Sequence, residues 1–514
     1  MQTFLDRHRE RIAGVLSGFD RVLFRGTLRS LEYRKGFEAF LATHRVLYKD
    51  FGTFAQGLSD EVKAHAKAFA KRHGRPLIYL ASPSVSKEDF ARRIMQRDGI
   101  QQGLICVLTC VEPCRAFKVS RNPETRHLEF GLATRKCLFI YFYFADREFG
   151  LMHVRLQTWL PMPMQVCING REYLAKRMDR AGIGYEQRDN CFTRIDDLPR
   201  AQAMLQDLEQ RNWPIFLSAL ARRLNPLMAP SHRLNLRAYY WTIRESEYAT
   251  DVLFKSPADL KAIYPALVNH AIQHFSCTDT LRFLGRRRIN RHFTGEASTN
   301  VKSRPEGVRI KHWVEENSIK MYDKEGSVLR IETTINNPRR FKVRRPATRN
   351  GRPCMGWIPM RKSVADTSRR AELGLAANGR YLEALGVVGE PSPTRFLLDP
   401  VSQAVTRQGR AYRPLRPIAP EEAKLFALLL DGQFLLQGFR NKDIRERLLG
   451  DPGADPTARR QAAGKITRLF RLLRAHRLIR KVSKTFYYRV TNRGTRVMTT
   501  ALQLRELNLY ALAA

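Results

Sequence analysis

The chain has 514 residues, room for three or four domains, and its 43% hydrophobic content supplies a sizeable core, which excludes wholesale disorder. Its 90 Lys and Arg stand against 49 Asp and Glu, a formal charge of +41 that repels itself unless a polyanion neutralises it. The longest apolar run, Leu138 to Ala145, is far short of the roughly 20 residues of a membrane span. The charged start MQTFLDRHRERI is unlike a signal peptide. A cytoplasmic protein with no membrane partner is expected. Nucleic acid is the expected polyanion, because Arg outnumbers Lys and suits phosphate and base-edge contacts.

Residues 1–230 read as a mixed α+β module, in which helical stretches such as SDEVKAHAKAFAKRHG alternate with apolar strands such as PLIYLA and LICVLTCV. Cys106, Cys110 and Cys114 are spaced four apart, without the paired short spacings and fourth ligand of a zinc site, so buried structural thiols are expected. The stretch Lys136 to Pro161 reads as a hairpin around ADREFG. Strand alternation puts Tyr141 and Tyr143 on one face before the turn, and His153, Arg155 and Gln157 on one face after it. If these faces meet in the open, they form a platform for stacking bases beside cations; the competing reading is a buried sheet. Asp20, Asp146 and Glu148 fall near strand ends, where a metal-dependent nuclease places carboxylates.

Residues 231–385 open with helices. Ser256 and Asp259 make a capping-box-like start to SPADLKAIYPALVNHAIQHF, and His270 and His274 share a face of that helix, expected to pack rather than to bind metal. A basic run, Arg286, Arg287, Arg288, Arg291 and His292, precedes RIKHW with Arg309 and Lys311. Next comes NSIKMYDKEGSVLRIETTI, read as a hairpin with a Lys324-Glu325-Gly326 turn. Alternation sends Ile319, Met321, Leu329 and Ile331 to the core face and gathers Lys320, Tyr322, Arg330 and Glu332 on the other. Lys320 near Arg330 calls for an anion, either Glu332 or a phosphate. Downstream, NNPRRFKVRRPATRNGR extends the cationic track.

Residues 386–417 are Pro-rich and read as a linker. Residues 418–505 read as three helices, a β-wing and a closing helix, which is a winged helix-turn-helix. The helices are PEEAKLFALLLDG, NKDIRERLLG with Asn441 as N-cap, and PTARRQAAGKITRLFRLLRAHRLI; the wing is IRKVSKTFYYRV, with a Ser483-Lys484 turn. The third helix carries Arg459, Arg460, Gln461, Lys465, Arg468, Arg471 and Arg474 between apolar residues at helical spacing. In such motifs this helix enters the major groove, where Arg pairs with guanine and Gln with adenine; Lys481, Lys484 and Tyr487 would lie on the wing. The overall class is thus α+β multidomain.

The passage LRAHRLIRKV…FYYRVTNRG resembles the winged-helix domains of bacterial regulators. The pattern Lys-x-Tyr-Asp-Lys followed by Arg-x-Glu is similar to a hairpin in the replication initiators of rolling-circle plasmids and filamentous phages. That resemblance implies a DNA-nicking domain with Glu332 as a metal-ligand candidate and a nucleophilic tyrosine elsewhere; LRFLGRRR offers Phe283 where that Tyr would be wanted, and the register makes Tyr322, the one tyrosine of the hairpin, the candidate nucleophile. The chain also resembles a group of long, basic bacterial proteins with the NSIKMYDK…VLRIETTINNP passage and a winged helix, which implies no activity. Two functional readings follow. One is a mobile-element type protein, a transposase or replication-initiator-like nuclease that cleaves or transfers a DNA strand with Mg²⁺. The other is a non-catalytic DNA-binding regulator or RNA-binding scaffold. Two or more carboxylates around a common metal position would mark the first, and carboxylates paired with cations the second.

Overall fold

The computed structural model describes all residues except 286–296, 305–306, 350–351, 389–393, 433, 435–437, 451–454, 484 and 507–514. The architecture is mixed α+β, in two compact units. The first comprises Met1–Val15, Asp251–Thr333 and Ala376–Ala514, and the second Leu16–Thr250 and Thr334–Leu375. The sequence suggested consecutive modules at 1–230 and 231–385; the units instead interleave, and every passage of the chain from one to the other falls inside a strand or helix. No helix among the described residues is long and apolar enough to cross a membrane.

In the second unit the strands Ile12–Thr27, Met164–Asn169, Gly150–Gln157, Leu128–Asp146, Gly103–Arg121 and Leu77–Leu80 neighbour one another in that order. Only the last pair is parallel; the rest are antiparallel. Gly103–Arg121 and Leu128–Asp146 form one long antiparallel ladder. The aromatic residues spaced along this ladder and the helices over it make the core. Phe117 and Phe130 stack at 4.7 Å between ring centroids, and Phe37, from the helix Arg34–Thr43, closes on Phe117 at 4.2 Å. Phe51, at the start of the helix Phe51–Arg72, meets Phe130 edge-on at 5.2 Å. Cys106 and Cys110 are buried in the same sheet, and Cys114 lies with its sulfur 2.8 Å from that of Cys137. The cysteines are therefore packed as thiols of a strand, as their spacing suggested.

In the first unit the strands Ala297–Arg304, Gly307–Val314, Asn317–Lys324 and Val328–Ile335 form a meander. One face is apolar, with Ile310, Ile319, Met321, Leu329 and Ile331 fully buried. Helices Pro257–Gln273 and Cys277–Phe283 belong to the same unit. Ser256 caps the first of these as expected, its hydroxyl accepting from the Asp259 amide and donating to the Asp259 carboxylate. His270 and His274 sit side by side, ring centroids 4.8 Å apart. The loop of the hairpin is Glu325-Gly326-Ser327, one residue later than expected, with Glu325 and Gly326 both at positive φ. Moving the loop centre by one residue moves each cross-strand partner by two positions, which leaves every side chain on its expected face.

The stretch 386–417, expected as a linker, contains a short helix, Thr394–Leu398, and two paired strands, Val405–Arg407 and Arg410–Tyr412. Beyond it come helices Pro420–Leu429, Asn441–Leu449 and Pro456–Ala475, the paired strands Ile479–Lys481 and Tyr488–Val490, and the helix Asn492–Glu506. Asn441 is not the N-cap. Arg440 holds that position, its amide donating to Asp443, and the Asn441 amide group instead donates to the Ala463 carbonyl and the Thr467 hydroxyl.

Phe117 shows how much the second unit depends on its aromatic cluster. Removing a fully buried Phe forfeits its transfer energy and leaves a cavity. Phe117→Ala is expected to lower unfolding free energy by about 3–5 kcal/mol in urea titrations.

Candidate nucleic-acid interface

The helix Pro456–Ala475 is amphipathic because its apolar residues recur every three or four positions. Ile466, Phe470 and Leu473 are buried in a core shared with Ile444, Phe439, Leu478, Val497 and Met498. Asp455 caps its start by accepting from the Thr457 and Ala458 amides. Asn441 ties the preceding helix to its middle turns, through the Ala463 and Thr467 contacts, so the two helices are held in register. On the solvent side Arg459, Arg460, Gln461, Lys465, Arg468, Arg471 and Arg474 are all exposed. Gln461, Lys465, Arg468 and Arg471 line a shallow groove between this helix and Leu449. Gly464 has no neighbour within 4 Å of where a side chain would begin, so the groove floor lies open at backbone level. Lys481 is exposed on the strand that follows, and Phe486, in the loop between the two strands, is 83% exposed. Tyr487 lies under the Arg440 guanidinium at 5.3 Å. Lys484 lies outside the described residues.

The hairpin at 317–335 is different. Arg330 and Glu332 are buried, not displayed. Lys320 donates to one oxygen of Glu332 at 2.5 Å and the Tyr322 hydroxyl to the other at 2.7 Å. Arg330 grips Asp251, on the strand Tyr240–Phe254, with two bonds of 2.6 and 2.8 Å. The anion that the cationic face required is thus supplied twice from within the chain. Burial alone would raise the Glu332 pKa; the charge and hydrogen bond of Lys320, with Arg330 and Tyr322, overcome it and hold the carboxyl below its ordinary 4.5. Asp251 escaped the sequence reading, although a lone Asp within the apolar run ATDVLF was the available signal for a buried cation partner.

Two carboxylates, each with both oxygens held by protein cations or a tyrosine hydroxyl, do not fit a Mg²⁺ site at Glu332. Among the described residues no group of three His, Cys, Asp or Glu side chains is arranged to hold a metal. Further along the same polar face, Lys311 lies opposite Lys320 and over the Trp313 ring at 4.2 Å, and Arg309 donates to Asn300. Both are half-buried. Arg286, Arg287, Arg288, Arg291 and His292 lie outside the described residues.

The open tyrosine platform is a correction. The pairing is as read: Tyr141 lies opposite Arg155 and Tyr143 opposite His153. But Tyr141, Tyr143 and Gln157 are buried, at 6%, 2% and 3% exposure, and their sheet face belongs to a core shared with Ala91 and Ile94 of the helix Lys87–Arg97. Glu112 supplies the counter-charge that the sequence reading missed, accepting from Tyr141, Arg155 and Lys87 at 2.7, 2.7 and 3.1 Å. Gln157 turns its amide to the Trp159 carbonyl. Burial drives the His153 pKa down to about 4, with Arg21 and Arg155 adding to the effect, so this imidazole is neutral at neutral pH and offers no phosphate a charge. The three strand-end carboxylates are also engaged. Asp20 is buried and accepts from Asn190, Asp146 caps its own turn by accepting from the Glu148 and Phe149 amides, and Glu148 pairs with Arg211.

Comparison with family models, curated proteins and solved structures returns no match.

A carboxylate held in this way stabilises the fold only while ionised. Its depressed folded pKa makes the contribution full above the unfolded value and lost as pH falls through the folded one. Glu332→Gln leaves Lys320 half-buried without its counter-charge and is expected to cost about 3 kcal/mol at pH 7. In urea titrations run from pH 7 down to 3, the gap between wild type and Glu332→Gln should hold above about pH 4.5 and close below it. A gap independent of pH would remove the ion pair as its cause. Lys320→Met combined with Glu332→Leu should cost less than either single change.

Proposed function

We propose that the protein is a nucleic-acid-binding protein of the cell interior whose residues 418–505 form a winged helix-turn-helix that docks on duplex DNA. The observation that carries this reading is the helix Pro456–Ala475, with its buried Ile466, Phe470 and Leu473 on one side and exposed Arg460, Gln461, Lys465, Arg468 and Arg471 on the other. A helix of this kind, braced by a second helix at its middle turns, matches the shape and charge of a major groove. Arg side chains suit guanine edges and phosphates, and Gln461 suits an adenine edge. The open backbone at Gly464 lets a strand approach closely. Lys481 and the exposed Phe486 stand where a wing would meet the phosphate backbone or minor groove.

Between the two functional readings, the cation-held state of Asp251 and Glu332 supports the non-catalytic one. In that reading the hairpin is a structural ion-pair centre, and regulation or scaffolding on DNA, rather than strand cleavage, is the activity.

Binding of this kind releases counterions, so affinity falls with salt in proportion to the phosphates contacted. Arg468→Ala with Arg471→Ala should weaken binding to random-sequence duplex in fluorescence anisotropy and reduce the slope of log K against log salt by about 2. An unchanged slope would place the duplex contact elsewhere.

A further inference from the structure

Residues 336–363 hold nine Lys and Arg and no Asp or Glu. In the second unit they build a two-stranded antiparallel hairpin, Lys342–Arg349 with Arg352–Pro359, that is a sheet of its own. The register sorts its faces. Lys342 lies opposite Pro359, Arg344 opposite Trp357, and Pro346 opposite Met355, so these six share one side. On that side Lys342 and Arg344 are exposed, Trp357 is 64% exposed and Met355 is 57% exposed. The other side faces inward at the hairpin's base, although Cys354 further along it is exposed. Val343 is buried, and Arg345 donates to the Pro359 carbonyl and lies 3.7 Å from Asp366. Asp366 is therefore on the inner face, and the six outer-face residues include two cations and one aromatic ring but no acid.

Trp357 is unlike the other four tryptophans. Trp213 and Trp241 are buried; Trp159 donates to the Phe117 carbonyl, and Trp313 lies under Lys311. Trp357 and Met355 leave apolar surface in water on the same face as Lys342 and Arg344, a combination that a partner both apolar and anionic would cover. A strand from another protein is a poor partner, because Pro346, Pro353 and Pro359 remove ladder donors from the hairpin's edges. A duplex is a poor partner for the ring, because its base faces are already stacked. A single strand offers both required features, an unstacked base for the indole and phosphates for the cations.

We propose that this hairpin is a second nucleic-acid site, specific for unpaired strands, in which Trp357 stacks on a base while Lys342 and Arg344 hold the flanking phosphates. The site is separate from the duplex-docking helix and does not depend on it. The test uses the full chain with oligo(dT) and oligo(U) of 20 nucleotides, and a 20-base-pair duplex as the control. Binding of a single strand should quench tryptophan emission, and Trp357→Phe should abolish that quench. Trp357→Ala should weaken single-strand binding about tenfold or more, since a base stacked on an aromatic ring contributes on that scale, and leave duplex binding unchanged. Arg468→Ala with Arg471→Ala should do the converse. A response to either oligonucleotide supports the site, and the stronger of the two names its strand type. Single-strand affinity unaltered in Trp357→Ala, or a quench that survives Trp357→Phe, would overturn it. Equal losses of duplex and single-strand affinity in Trp357→Ala would also overturn it, by removing the selectivity for unpaired strands. Trp357 is exposed, so both variants are expected to keep the wild-type urea midpoint, which guards against misfolding as the cause.

Discussion

A shortage of carboxylates governs this protein. Ninety Lys and Arg stand against 49 Asp and Glu, so the positive charge exceeds the chain's own acids by 41. A cation in the interior must have a partner, either an acid or, as at the buried Arg370, hydroxyl and carbonyl acceptors, because an unpaired buried charge costs several kcal/mol. A cation in water need not. Three of the acids sit where burial demands them. Asp251 serves Arg330, Glu332 serves Lys320, and Glu112 serves Arg155, Lys87 and the Tyr141 hydroxyl. Exposed cations gather on the helix Pro456–Ala475 and on the hairpin Lys342–Pro359, where neighbouring positive charges repel each other.

The same allotment explains why cationic residues that look alike in the sequence have opposite roles. Arg155 and Arg330 each lie between two apolar residues of a strand, and alternation carries them into covered sheet faces. There the guanidinium is a structural element, and its Glu or Asp is fixed in a bidentate or multiple contact. Arg468 and Arg471 lie on a helix whose apolar stripe faces away from them, so their charge stays in water. Burial of the neighbouring face, more than the identity of the residue, separates the two outcomes.

That distinction marks how far the sequence is legible. Periodicities carry through: the apolar stripe of Pro456–Ala475, the core side of the 317–335 hairpin, the Ser256 cap and the pairing of Tyr141 with Arg155 are all local, and a short window contains them. Depth does not carry through. Nothing near Tyr141 says that the helix Lys87–Arg97 will join its core, and nothing near Arg330 says that Asp251, 79 residues earlier, will meet it. These are long-range placements, and the acid that completes each cluster comes from a distant strand. The one-residue displacement of the hairpin loop is a smaller failure of the same kind, and it was harmless because a shift of two in partner keeps the faces. Trp357 shows the reverse difficulty. Its neighbours Pro353 and Pro359 are visible in the sequence, but its exposure depends on the hairpin having no third strand.

The two exposed basic surfaces differ in what they ask of a ligand. The helix presents a rigid row of cations fixed by a buried core, which suits a regular phosphate spacing and a groove of set width. The hairpin presents one large ring and two cations on a narrow ribbon, which suits a base that can turn out of a stack. Under the two proposed assignments, a nucleic acid with a duplex and an adjoining single strand carries a ligand for each surface. Such a junction also supplies the anion that the shortage of carboxylates leaves unprovided.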